Sequence, residues 1–384
     1  MAASEIKTFP LGDFALQSGA TLPGAFIAYK TFGDASASLP AIVYPTWFSG
    51  AIADNEWLIG DDMALSPRRY FIVVPALFGN GESTSPSNSG SSIMEGVPRR
   101  PFPDVTFYDN VKAQHRLLTE GLGIKGVKAV LGWSMGAGQT YQWITQFPDF
   151  AELAIPFCGS ARTSPHNQVF LEGVKTSLLA AKGAVSGGAG QGEAAPSSRN
   201  INTDDDDGDE TLTSQRRQQQ YRTWSVEERE VGLKALGRVY AGWGLSQAFY
   251  REKLYETALG FTGLEDFLRR FWEGWALSKD PENLLVMLHT WQVGDCSNQS
   301  PYNGDFELAM RSIKAKTLVL PSQTDLYFPP EDSEYEVRHM LPGVGKCIPF
   351  PSIWGHWAGG PGDSKADVKW LDEKLRSFLE DGSW

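Results

Sequence analysis

Val127-Lys128-Ala129-Val130-Leu131-Gly132-Trp133-Ser134-Met135-Gly136 is the stretch from which the fold is read. Val127 to Leu131 is an apolar run with the length of a short buried strand. Ala137 to Phe147 carries apolar residues at helical spacing, and Pro148 stops it. A strand, a serine framed as Gly-x-Ser-x-Gly and then a helix make the context of a nucleophile elbow. Ser134 is expected at the tip of a sharp turn whose backbone conformation a β-carbon resists. Gly132 and Gly136, lacking side chains, let neighbouring backbone approach that turn.

The elbow needs a sheet to stand on, and the flanks supply it. Phe14 to Leu16 and Ala25 to Tyr29 read as a pair of strands joined by Gln17-Ser18-Gly19-Ala20. Ala41 to Pro45 and Tyr70 to Val74 are continuous apolar runs, the pattern of strands covered on both faces. Asn55 to Leu65 and Thr106 to Gly123 read as helices, and Gly79 to Ser92 as loop. Leu153 to Phe157, Thr317 to Leu320 and Cys347 to Phe350 add strands, and Val368 to Leu379 closes as an amphipathic helix. Strands alternating with helices predict an α/β protein with a mostly parallel, doubly wound sheet.

From about Arg162 to Asn298 the pattern is helical with almost no strand signal. The expected division is core over 1–161, a helical cap over 162–305 and core again over 306–384. Ser225-x-x-Glu228 is a capping box opening a long helix. Tyr240, Trp243, Phe249, Tyr250, Phe261, Phe267, Phe271, Trp272, Trp275 and Trp291 supply the insert's own core and its seat on the sheet, with some left to face the nucleophile. Residues 182–214, Gly/Ala/Ser-rich and then acidic, read as a disordered surface loop.

A serine hydroxyl needs a base, and the base needs an orienting group. Of five histidines, His356 follows the last strand signal. His115, His289 and His339 sit in helical patterns, and His166 sits in a Pro-Asn turn context. Asp325, directly after Thr317 to Leu320, is the candidate carboxylate. Glu331 and Asp332 fit the start of the next helix instead. The order Ser134, Asp325, His356 is the one this architecture uses. Two backbone N–H groups should face a developing oxyanion: that of Met135, and one from Thr46-Trp47-Phe48-Ser49-Gly50, with Phe48 favoured over Trp47. Trp133, Arg162 and Trp357 are the candidate substrate contacts.

Composition sets the outer bounds. The chain has 384 residues, 41% hydrophobic and 12% aromatic, enough for a large core. A formal net charge of −12 and no basic stripe argue against a nucleic-acid partner. The acidic run from Asp204 to Glu210 lacks the spacing of a calcium loop and reads as solvated. Cys158, Cys296 and Cys347 are too few and scattered for a disulfide framework or zinc site, so no metal is expected. No stretch approaches 18 uninterrupted apolar residues and Met1 to Pro10 has no signal-type core. The expectation is a cytoplasmic protein with no membrane partner.

Several motifs together resemble the homoserine O-acetyltransferase-like family of α/β-hydrolases. They are Pro103-Asp104-Val105-Thr106 with Asp109-Asn110-Val111, the elbow pentapeptide, Gln142-Trp143, Phe147-Pro148-Asp149, Ser160-Ala161-Arg162 with Asn167-Gln168, and Thr324-Asp325-Leu326-Tyr327-Phe328-Pro329-Pro330. The resemblance spans nearly the whole chain, most closely to fungal-type relatives of unassigned substrate. It implies the α/β-hydrolase fold with a helical cap, and ping-pong acyl chemistry with Ser134 as nucleophile, Asp325 as orienter and His356 as base. It also admits a homodimer through the cap. Three departures stand out. The Asp that typically follows the catalytic His to meet an ammonium is Trp357, the second Gly after the elbow is Ala137, and the oxyanion loop is Thr-Trp-Phe-Ser-Gly. An acid lost and aromatics gained point to a small-molecule acyl substrate less polar than an amino acid.

The leading expectation is therefore a serine-nucleophile acyl hydrolase, esterase or thioesterase-like, needing no cofactor. The alternative is an O-acyltransferase using acetyl-CoA as acyl donor. A second alternative is a catalytically silent ligand-binding protein of the same fold. A haloalkane dehalogenase is disfavoured, because the nucleophile position holds Ser and not Asp.

Overall fold

In the computed structural model, which describes residues 5–89, 102–182 and 223–384, Val127–Trp133 is a central strand of an eight-stranded sheet. In chain order the strands are β1 (Lys7–Ala15), β2 (Thr21–Phe32), β3 (Ala41–Val43), β4 (Phe71–Pro75), β5 (Val127–Trp133), β6 (Ala151–Phe157), β7 (Lys316–Val319) and β8 (Gly345–Cys347). Their order across the sheet is β1-β2-β4-β3-β5-β6-β7-β8. β1 pairs with β2, and β2 with β4, antiparallel; every other pairing is parallel. The order turns back at β3, so the loops leaving β3 and β5 part around a crevice at the carboxyl end of the sheet. That is where an open α/β sheet binds ligands.

Alternation along the strands divides the core between two faces. Ile42, Ile72 and Leu131 belong to one buried cluster, and Val43, Val73 and Val130 to another. Helices α1 (Phe107–Arg116) and α2 (Met135–Gln146) bring Val111, Ala113, Tyr141 and Ile144 to the second face. The C-terminal helix Lys365–Asp381 brings Leu371, Leu375 and Phe378 to the first. Full burial of such side chains contributes about 1.5–3 kcal/mol each. This is the doubly wound arrangement expected.

Between β6 and β7 the described chain forms helices and no strand. They include α3 (Pro165–Leu179), α4 (Val226–Gly244), α5 (Gln247–Arg251), α6 (Leu254–Thr257) and α7 (Leu264–Phe267). A π turn at Leu268–Glu273 runs from α7 into α8 (Gly274–Leu277), and α9 (Pro281–Gln292) and α10 (Phe306–Arg311) follow. The Ser225–Glu228 capping box opens α4, with both reciprocal hydrogen bonds present. Tyr240, Phe249, Phe267, Trp272 and Trp291 are buried among these helices or between them and the sheet. Residues 183–214 of the expected disordered loop, and residues 90–92 of the expected Gly79 to Ser92 loop, lie outside the described residues.

Three local readings differ from the structure. In place of a helix over Asn55 to Leu65 there is a 3-10 helix at Ile52–Leu58. Asp54 accepts from the Ala51 N–H and starts the turn early, while Asn55 turns inward to donate to the Tyr44 and Pro45 carbonyls. The last strand is Gly345–Cys347 and not Cys347 to Phe350. Pro349 and Pro351 have no N–H to give a ladder, so Phe350 returns only as a single bridge to Ser322. His166 lies in the first turn of α3 and not in a turn, because Pro165 suits a first helical position and Ser164 caps the helix.

Candidate active site

Ser134 leaves β5 at φ 59° and ψ −123°, a conformation that side chains normally avoid, and α2 begins at the next residue. The surrounding glycines explain why the turn closes. A β-carbon on Gly132 would lie 2.3 Å from the Gly136 carbonyl carbon, and one on Gly159 would lie 2.5 Å from the Ser134 carbonyl oxygen. A β-carbon on Gly136 would stand 3.0 Å from the Pro45 carbonyl oxygen, so this glycine lets the elbow approach the loop after β3. Gly159 carries the same role as the motif glycines, but it lies at the end of the next strand, outside any motif.

Ser134, His356 and Asp325 come together in one hydrogen-bonded series. His356 Nε2 is 2.9 Å from Ser134 Oγ, and its Nδ1 is 2.8 Å from Asp325 Oδ2. All three side chains are buried. Asp325 Oδ1 accepts the Tyr327 and Phe328 N–H groups at 2.8 and 3.2 Å, which fixes the carboxylate in place. Thr324 Oγ1 donates to the Ser352 carbonyl and accepts from the Gly355 N–H, joining the loop after β7 to the segment that carries His356. The imidazole is held by rings: Trp133 stacks on it at 4.8 Å, and Tyr327 meets it edge-on at 4.8 Å. The other histidines lie elsewhere; His115, for example, stacks on Phe147 at 3.9 Å.

The loop after β3 forms a turn in which the Gly50 N–H donates to the Trp47 carbonyl. The amides of Trp47, Phe48 and Met135 donate to no acceptor among the described residues. Such free donors beside a serine at a helix N-terminus make a site for developing negative charge. A chain of buried amides sets the loop against the elbow. Trp143 Nε1 donates to Gln114, Gln114 Nε2 donates to Gln139, and Gln139 Nε2 donates to the Thr46 and Met135 carbonyls. Neither glutamine stands out in the sequence, because an amide at helical spacing usually belongs to a solvated face.

A cavity of about 430 Å³ opens over Ser134 and His356. Its walls include Trp47, Phe48, Trp133, Tyr240, Trp275 and Trp357, with Asp54, Arg270 and Lys279 also present. Trp133 and Trp357 therefore stand where substrate contacts were expected. Arg162 does not. Its guanidinium lies 4.3 Å over the Phe306 ring, it is exposed, and it is absent from the cavity wall. Ala161 and Thr163 on either side are buried, and a bridge to Asp295 holds the backbone extended, so alternation turns the Arg162 side chain outward.

Cys158 and Cys296 are buried and Cys347 is half-buried, all three free; burial pushes each thiol well above its ordinary range. Among the described residues no group of acidic, His or Cys side chains could hold a metal ion, and no helix is long and apolar enough to cross a membrane.

Fold and site together define an α/β-hydrolase. The chain is 33% identical to a probable esterase of Corynebacterium glutamicum over 97% of its own length and 95% of the relative's. It is also 33% identical to an ethyl acetate hydrolase of Pseudomonas veronii, over 96% and 94%. An acetylester hydrolase structure from Corynebacterium glutamicum superposes with a TM-score of 0.81 at 30% identity, covering 98% of this chain and 96% of the other. A homoserine O-acetyltransferase of Nostoc punctiforme is 24% identical over 86% of this chain and 85% of its own. No family profile matches. The chain belongs to the homoserine O-acetyltransferase-like family of α/β-hydrolases, on the side of its esterases.

Proposed function

We propose that the protein hydrolyses carboxylic esters of small apolar acyl groups through an acyl-enzyme on Ser134. The observation that carries this reading is the unbroken series from Ser134 Oγ through His356 to Asp325 beneath an aromatic cavity. Ser134 Oγ attacks the ester carbonyl as its proton passes to His356 Nε2. The Met135 and Phe48 amides hold the resulting oxyanion. The alcohol leaves with the proton from His356. Water then repeats the sequence on the acyl-enzyme: His356 takes its proton, the hydroxyl adds to the carbonyl, and Ser134 leaves reprotonated as the acid is released. Asp325 holds the Nδ1–H tautomer, leaving Nε2 free to accept.

Two features support a less polar substrate than an amino acid. The residue after the base is Trp357, and the cavity wall around Ser134 and His356 is largely aromatic. The relatives named as acetylester and ethyl acetate hydrolases support a short acyl group. Intact-protein mass spectrometry after exposure to p-nitrophenyl acetate or acetyl-CoA, with S134A alongside, tests the proposal. The expected result is a transient acetyl adduct from the activated ester that water clears and that S134A never forms. A long-lived adduct from acetyl-CoA, discharged only by an added alcohol, would make the enzyme a transferase. No adduct and no turnover would leave a binding protein.

A further inference from the structure

The turn that presents Phe48 contains a residue that suits it poorly. Ser49 occupies the third position of the Trp47–Gly50 turn at φ 63°, in the left-handed region where glycine or asparagine is usual. Its side chain is not idle. Ser49 Oγ accepts a hydrogen bond from the indole N–H of Trp275 at 3.2 Å, across 226 residues of sequence. Trp275 lies in α8, among the cap helices, packed on Tyr240 at 5.1 Å and Trp272 at 5.9 Å. Phe48, the next residue back, stacks on the same Tyr240 at 5.7 Å with the rings 10° from parallel. The loop that would hold the oxyanion is thus gripped by the cap at two adjacent side chains. Only one of these grips is a directional hydrogen bond.

A serine at this φ without a partner would let the turn relax and swing the Phe48 amide away from Ser134. A glycine would keep the turn with no partner at all. Serine with a tether does what glycine does alone, but makes the geometry depend on where the cap sits. We infer that Trp275 is a positioning residue for the oxyanion hole, acting through Ser49, so that a seated cap completes the hole. This rests on the ester-hydrolysis reading above. Trp275 also lines the cavity, so its ring contributes to substrate binding separately from its N–H.

The test is steady-state kinetics on p-nitrophenyl acetate for wild type, S134A, S49A, S49G, W275F, and the doubles S49A/W275F and S49G/W275F. Loss of one oxyanion donor costs about 10²–10³ in kcat, and a displaced donor loses part of that. S49A and W275F are each expected to lower kcat roughly tenfold, with KM changing less. S49A/W275F should be no slower than S49A, since both changes break one bond. S49G should lose less than S49A, because glycine holds the turn unaided. W275F in the S49G background should then lower kcat far less than it does in the wild type, with any lost ring contact read in KM, and this pair carries the comparison if S49A fails to fold. Additive losses, effects confined to KM, or S49G no better than S49A would overturn the tether. Absence of wild-type turnover, or turnover surviving in S134A, would instead sink the hydrolase reading.

Discussion

Trp133 and His356 are bound to each other twice. The Trp133 indole N–H donates to the His356 carbonyl at 3.1 Å, and its ring lies on the imidazole with centroids 4.8 Å apart and planes 25° from parallel. Trp133, the residue before Ser134, therefore sets both the backbone and the ring of His356, although the two are far apart in sequence. Ser134 and His356 sit on loops from different strands, and this pair fixes one relative to the other.

W133F keeps much of the ring and removes the N–H. Losing one buried hydrogen bond costs about 1 kcal/mol, and the His356 carbonyl loses the indole as a donor. We expect kcat to fall roughly tenfold with KM changing less, since a small misplacement of a reacting group slows the chemistry more than binding. Stopped-flow and steady-state kinetics on an activated ester check this. An unchanged kcat would mean that Tyr327 and Phe328 hold the imidazole without help.

D325N preserves shape but not tautomer. The asparagine oxygen can still accept the Tyr327 and Phe328 N–H groups, which turns its NH2 towards His356 Nδ1. The imidazole must then carry its proton on Nε2, where it cannot accept from Ser134 Oγ. The expected loss in kcat is about 10⁴, as for the equivalent change in other Ser-His-Asp enzymes. A loss below tenfold in the rate of active-site acylation would remove Asp325 from the orienting role.

The elbow and the order Ser134, Asp325, His356 were legible because each sits in local grammar: a strand, a turn residue and a helix within a dozen positions. The mostly parallel sheet was legible for the same reason, through apolar runs of strand length. What sequence reading missed acts across the fold. Periodicity says that Gln114 and Gln139 lie on helices, but not that their amides are buried and joined at 2.6 Å. Nothing near Ser49 announces Trp275, and nothing near Ser134 announces Gly159. Arg162 was misplaced because a bridge to Asp295, invisible in sequence, decides which way its side chain points.

Glu336 gives the stability of the fold a pH dependence. It lies in the helix Pro330–His339, fully buried, accepting from Tyr141 Oη and the Ala161 N–H, both at 2.6 Å. Burial pushes its carboxyl up to about 8, with nearby Asp332 adding to the rise and those two hydrogen bonds and Arg162 opposing it. In the unfolded chain it titrates at its ordinary value, near 4.5. Between these limits the folded protein holds the extra proton, so stability falls as pH rises through the window, by on the order of 5 kcal/mol for this group alone. Glutamine keeps an oxygen for Ala161 and cannot ionise. Melting curves at pH 5.5 and 8 should show the wild type losing more Tm than E336Q; equal losses would mean that other groups set the slope.

On the proposed reading Trp357 separates this site from one built for an amino-acid acceptor, and W357D tests whether one substitution can convert it. The indole meets Trp272 at 5.0 Å, Trp133 at 5.7 Å and Phe271 at 6.1 Å. It also depends on the missing side chain of Gly244, where a β-carbon would lie 2.9 Å from its ring. Aspartate would leave a void among these rings and set a carboxylate against their apolar faces. Burial would raise its pKa and favour the neutral acid, which holds an ammonium group poorly. We expect W357D to lose stability by about 3 kcal/mol, read from chemical denaturation, and to form no O-acetylhomoserine from acetyl-CoA and homoserine. Appearance of that product in the single variant would show that the aromatic box is incidental, and that the acid alone decides between water and an alcohol as acceptor.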